Sequence, residues 1–197
     1  MSNTGKSNNI KKLTGMAIFS AIIIILQLFA TFVKFGPFCI TLTLIPIVVG
    51  SAVYGMGSGA FLGGVFGVVV LAACIFGWDP GGYVLWAANP LLTALLCLSK
   101  GAAAGFFAGA VYNLLAKKNS DIGAVAAAVI SPVANTGIFC LAMVLFYNDI
   151  LKEWAGDTPA LSFMIFVMVG GNFLIEFISN IVLSPIVSRI LKIKSKM

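Results

Sequence analysis

Histidine is absent from this chain, and charged residues make up only 9% of it. Without histidine, the commonest metal ligand and the commonest neutral-pH acid–base group are both missing. The four cysteines, Cys39, Cys74, Cys97 and Cys140, show no C-x-x-C spacing, so neither a zinc nor a haem site is expected. Each lies among apolar neighbours and reads as a small hydrophobe. A glycine-rich P-loop is also missing, so the chain has no ATP site of its own. No nucleophile has an adjacent base, and hydrolysis would rest on Glu176 alone, which argues against an enzyme. The scarcity of charge is the strongest exclusion. A soluble domain carries about 25% charged residues to solvate its surface, so the solvent here is lipid.

What remains is apolar: 60% of the 197 residues are hydrophobic, and the mean hydropathy is +1.09. The expected class is an all-α integral membrane protein, a single domain over residues 1–197. Spanning stretches of about 20 apolar residues are predicted over about 13–33, 40–54, 58–76, 90–116, 122–147 and 160–190. The run from Leu13 to Val33 is long enough to span and no A-x-A-like site follows it, so a retained first helix is expected. Two segments between spans, "GWDPGGYVLWAANP" and "NDILKEWAGDTP", read as loops, with Asp79, Pro80, Gly81 and Gly82 as loop formers.

The net charge of +6 is not a nucleic-acid footprint, because no aromatic side chains interleave with the basic residues. Lys6, Lys11 and Lys12, then Lys117 and Lys118, then Arg189, Lys192, Lys194 and Lys196 fall on one side of a six-span topology. Only Lys34 and Lys152 fall on the other, so the positive-inside rule predicts cytoplasmic termini. Glycines at every fourth residue, Gly55 to Gly67 and Gly101 to Gly109, predict close helix packing in lipid.

Lys100 is the one basic residue in the middle of a predicted span. At 1.5 Å per residue it lies about 25 Å above the cytoplasmic face. On the same ruler Asn172 lies at about 25 Å, Gln27 at about 22 Å, and Asn135 and Glu176 at about 20 Å. Polar groups in hydrocarbon are costly unless partnered or hydrated, and an ionisable one is a candidate site. Each also has a structural alternative. Lys100 can snorkel, Glu176 can be its counter-ion, and Asn135 can satisfy a carbonyl freed by Pro132. A shared pocket opening outward would offer one cation, several amides, and nearby aromatics at Phe38, Trp78, Tyr83 and Trp86. Asn89 would either touch the same solute or cap the following helix. Such a lining suits a small carboxylate-bearing solute. A self-sufficient channel or secondary carrier is the rival, but the inner halves of the spans offer little polar lining beyond Ser20, Asn180 and Ser184.

Several stretches resemble the substrate-binding (S) component of energy-coupling factor vitamin transporters, across essentially the whole chain. The first is Ala17-Ile-Phe-Ser-Ala21, which looks like the family's AxxxA docking motif. The others are "LIPIVVGSAVYGMGSGAFLGGVFG" and "WAANPLLTALLCLSKG". "SPVANTGIF" together with Lys100 looks most like the pantothenate-specific members, with riboflavin and folate as the alternative substrates. The resemblance implies a chain without cofactor that binds a vitamin from outside. Its partners would be a transmembrane coupling subunit and two ATPases, and ATP hydrolysis on those partners would drive toppling and inward release. It also implies a bacterial plasma-membrane location, Lys100 near the vitamin's carboxylate, and Asn135 near its amide or hydroxyls.

Overall fold

The computed structural model describes residues 3–32, 34–35, 38–39 and 42–195. Within these, the side chains of 3–8, 32, 34–35, 38–39, 167–169, 171–172, 175, 186–187 and 190–195 lie outside the described set. Four long helices carry the fold: α1 (Asn3–Phe32), α3 (Met56–Ile75), α5 (Pro90–Leu115) and α6 (Ser120–Phe146). Between them lie α2 (Leu44–Tyr54) and α4 (Pro80–Ala88). After them come α7 (Asn148–Ala155), α8 (Ala160–Phe163), a π-helical stretch (Met164–Val169) and α9 (Gly170–Ser195). A short antiparallel pair, β1 (Lys34–Phe35) with β2 (Phe38–Cys39), sits between α1 and α2.

Segments of α1, α3, α5 and α6 are long and apolar enough to cross a membrane. Large side chains such as Leu13, Leu91, Leu141 and Phe166 are exposed along the long helices and the π stretch, as lipid contact requires. α2 corrects the expected second span. Its 11 residues rise only about 16 Å, roughly half of the hydrocarbon core. Gly55, at φ 91°, ends α2 and starts α3 within a single residue. That backbone region favours glycine, and no atom lies within 4 Å of where its Cβ would stand. Gly55 therefore serves the turn, and packing begins at Gly59.

α3 and α5 run antiparallel with their backbones in contact. A Cβ on Gly63 would meet the Gly101 carbonyl, one on Gly59 the Gly105 carbonyl, and one on Gly67 the Cys97 carbonyl at 2.5 Å. This is the small-residue packing expected where no hydrophobic effect drives helices together. Around the pair, Ile23, Leu44, Ile47, Leu62 and Phe66 form a fully buried cluster.

Both expected loops contain helices. Asp79 and Asn89 act as N-caps, each followed by proline at the first helical position. Gly82 N–H donates to Asp79 Oδ1 at 3.2 Å, and Leu92 N–H donates to Asn89 Oδ1 at 3.1 Å. Gly82 is tolerated inside α4 because the Cys74 sulfur fills the space its Cβ would take. α7 is amphipathic: Leu151 and Ala155 are buried, while Asp149, Lys152 and Glu153 face outward. A polar composition had hidden its one-sided pattern.

Candidate functional site

The glycine contacts between α3 and α5 end at Gly67, and a small cavity lies beyond them. Its walls are Val70 and Cys74 of α3, Asp79 with Gly82 and Leu85 of α4, Thr93, Leu96, Cys97 and Lys100 of α5, and Phe139 of α6. Lys100 is half-buried, and its Nζ stands 5.3 Å from the Phe139 ring centroid. A cation over a ring face gains about 0.5–2 kcal/mol, so the ammonium has a partner inside the protein. One carboxylate, Asp79, shares the cavity, as do the thiols of Cys74 and Cys97.

A clasp of hydrogen bonds closes one wall. Thr93 Oγ1 lies 2.8 Å from the carbonyl oxygens of Leu85 and Asn89, and 2.8 Å from Tyr147 Oη. Tyr147 O–H also reaches the Asn89 carbonyl at 3.4 Å. The clasp joins the end of α4, the start of α5 and the end of α6.

The cavity volume is about 30 Å³, room for about one water, whereas sites for small molecules run to about 300–1,000 Å³. A solute must therefore widen it. A larger trough of about 220 Å³ between α5 and α6 is lined by Leu92, Leu95, Ile138, Leu141 and similar apolar groups. Its single hydroxyl, Ser99, and lack of charge give an anion nothing to bind, so the smaller cavity is the candidate site.

The model of the family described as "ECF transporter, substrate-specific component" matches residues 11–188. The chain belongs to that family. This S component is 28% identical over 181 residues to the curated Pantothenic acid transporter PanT of Lactococcus lactis subsp. cremoris (strain MG1363). That match covers 86% of this chain and 87% of the relative. The solved structure of ThiT from Listeria monocytogenes shares the fold, with a TM-score of 0.64 at 24% identity. It covers 96% of this chain and 97% of that one. The S component is thus a multi-pass protein of a bacterial cell membrane and the substrate-specific part of a transporter.

Of the residues marked in the sequence, Lys100 lines the cavity of this S component. Trp86 packs half-buried against the core cluster. Tyr83 and Trp78 are exposed, with the Trp78 ring tilted by 31° against that of Phe76 at 5.3 Å. Asn89 is exposed and caps α5. Gln27 is buried, and its Oε1 accepts from Thr43 Oγ1 at 2.9 Å, tying α1 to the start of α2. Glu176 is buried on α9, where its carbonyl accepts from Asn180 Nδ2 at 2.7 Å. Asn172 lies on α9 with its side chain outside the described residues, as is that of Phe38 on β2. Asn135 is buried on α6, and its Oδ1 has no hydrogen-bond partner among the described residues, nor does Ser131 Oγ one turn earlier. Ala17 and Ala21 are both exposed on α1.

Asp79, Thr93 and Phe139 were not marked. Asp79 carried a usable signal, a charge beside a proline, but that pattern marks a cap as readily as a loop. Asn89→Ala is expected to destabilise the S component by about 1 kcal/mol through loss of the cap. Asn89→Asp should retain stability, as a thermal melt in detergent would show.

Proposed function

We propose that this S component captures pantothenate from outside the cell and delivers it inward as part of an ATP-driven assembly. The observation that carries this reading is Lys100, a lone ammonium held in the cavity over Phe139. Pantothenate presents a carboxylate, an amide and two hydroxyls. Its carboxylate pairs with Lys100, and a charge-assisted hydrogen bond in a desolvated site is among the stronger ones. Asp79 and Thr93 line the same cavity and suit its hydroxyls. The unpartnered Asn135 Oδ1 supports a further contact to a solute N–H or O–H, since a buried acceptor left unsatisfied is costly. The 28% identity to a protein named as a pantothenic acid transporter supports the choice of vitamin.

In this reading the chain carries no cofactor. A transmembrane coupling subunit and two ATPases join it, and ATP hydrolysis on those partners topples the S component to release its cargo. Both termini lie in the cytoplasm. Ala17 and Ala21, one turn apart on an exposed face of α1, form the docking surface. Ala17→Trp is therefore expected to reduce co-purification with the coupling subunit while leaving vitamin affinity within about twofold, as is usual for distant independent sites. Loss of vitamin binding with assembly intact would remove the docking role.

The deciding experiment is equilibrium binding by the purified S component to pantothenate, riboflavin and folate in parallel. Pantothenate alone is expected to bind; a preference for riboflavin or folate would overturn the substrate assignment.

A further inference from the structure

We propose that the apolar trough between α5 and α6 is the second half of the solute site, with Leu96 as the partition that turns aside when cargo binds. The occupant is the aliphatic portion of the same solute whose carboxylate meets Lys100. This deepens the pantothenate reading and rests on it.

The cavity beside Lys100 holds about 30 Å³ and the trough about 220 Å³. Among the described residues, Leu96 is common to both walls. Helix geometry explains the sharing. Thr93, Cys97 and Lys100 are spaced to make one face of α5, and Leu92, Leu95 and Ser99 make the adjoining one. Leu96 stands at their common edge, four residues from Lys100. It packs in one buried cluster with Leu85 of the cavity and Ala142 of the trough. A change of rotamer at this one leucine would join the two spaces.

Alone, the cavity falls about tenfold short of the usual small-molecule site; together with the trough it approaches the lower end of that range. The two halves also differ as the ends of an amphipathic solute differ. The cavity offers Lys100, Asp79 and Thr93. The trough offers hydrocarbon, because its hydroxyl, Ser99 Oγ, already donates to the Leu96 carbonyl at 3.2 Å. It begins one residue from Lys100 and runs back to Leu92, about 10 Å along α5. Leu95, Leu141, Leu145 and Phe146 are exposed along it. Lipid hydrocarbon therefore fills the trough when no solute is bound, since an empty groove forfeits its contacts. Pantothenate carries two methyl groups on the carbon between its hydroxyl-bearing carbons. Moved from water into the trough, each methyl strengthens binding by about fourfold.

The test is equilibrium binding to the full chain in phosphatidylcholine nanodiscs, with two ligands: pantothenate, and its analogue with hydrogens in place of both methyls. The parent protein is expected to prefer pantothenate by about tenfold. Ser99→Phe sets a ring in the trough without altering a residue of the cavity wall. It should weaken pantothenate by about tenfold and leave the analogue within about twofold, so the preference disappears. Leu141→Trp fills the trough from the lipid-exposed side of α6 and should do the same, should Ser99→Phe not fold. Lys100→Ala should weaken both ligands alike and keep the preference. Equal affinity of the parent for the two ligands would overturn the proposal, and so would a preference that survives in a folded trough variant. If another vitamin binds in place of pantothenate, the substrate assignment fails. The affinity of that vitamin for Ser99→Phe then decides the trough: a tenfold loss, about the same as above, supports its use, and an unchanged value overturns it.

Discussion

Alanine in place of Lys100 is expected to weaken pantothenate binding by about thirtyfold or more, or about 2 kcal/mol, the usual worth of a hydrogen bond to a charged group. The loss should fall on binding and not on folding. What the apoprotein forfeits is the contact with Phe139 at 5.3 Å, worth about 1 kcal/mol in a partly exposed setting. Lys100→Met separates the two effects, because it keeps an apolar stem of similar length and removes only the charge. It should bind as poorly as alanine and melt closer to the parent protein. Isothermal titration of both variants decides the matter. Affinity unchanged in either would mean that the ammonium does not meet the carboxylate.

Valine in place of Gly63 is expected to abolish the yield of folded monomer. A Cβ there meets the Gly101 carbonyl, a backbone atom that cannot rotate aside. Overpacking ordinarily costs about 1–3 kcal/mol. With backbone against backbone along three glycine contacts, the cost should reach at least the top of that range. The neighbouring Gly64 supplies the control, since nothing lies within 4 Å of its Cβ position. Gly64→Ala should hold or raise stability by a few tenths to about 1 kcal/mol, through helix propensity. Size-exclusion recovery after graded heating of both variants reads this directly. Equal tolerance at both positions would mean that α3 and α5 are not in backbone contact.

The long helices were legible because lipid imposes a length and an apolar composition that few other segments satisfy. The glycine rows were legible for the same reason, as spacing alone marks a packing edge. α4 and α7 were hidden by ambiguity. Asp79-Pro80 opens a helix as readily as a loop, and eight residues of α7 are too few to establish a period. For the site, a charge in a greasy stretch pointed to Lys100, but its neighbours could not be named. Helices that are apolar all round carry no stripe to show which faces meet. Depth along the membrane normal put Gln27 and Asn135 at the level of Lys100, yet depth says nothing of direction around each helix. Gln27 is thus satisfied by Thr43 on α2, while Lys100 meets Phe139 on α6 and shares its walls with Thr93 and Asp79.

The backbone contact of α3 with α5 also decides which parts of the protein can travel. Two rods joined along half their length behave as tweezers, with displacement growing from the joined end toward the tips. Lys100 is adjacent to Gly101, whose carbon abuts Gly63, so it stands at the joint. Asp79, on the segment leading into α4, rides at the tips. Under the proposed pairing of Lys100 with the solute's carboxylate, the charged end of a solute should dock first at this fixed end, and its far end be enclosed last.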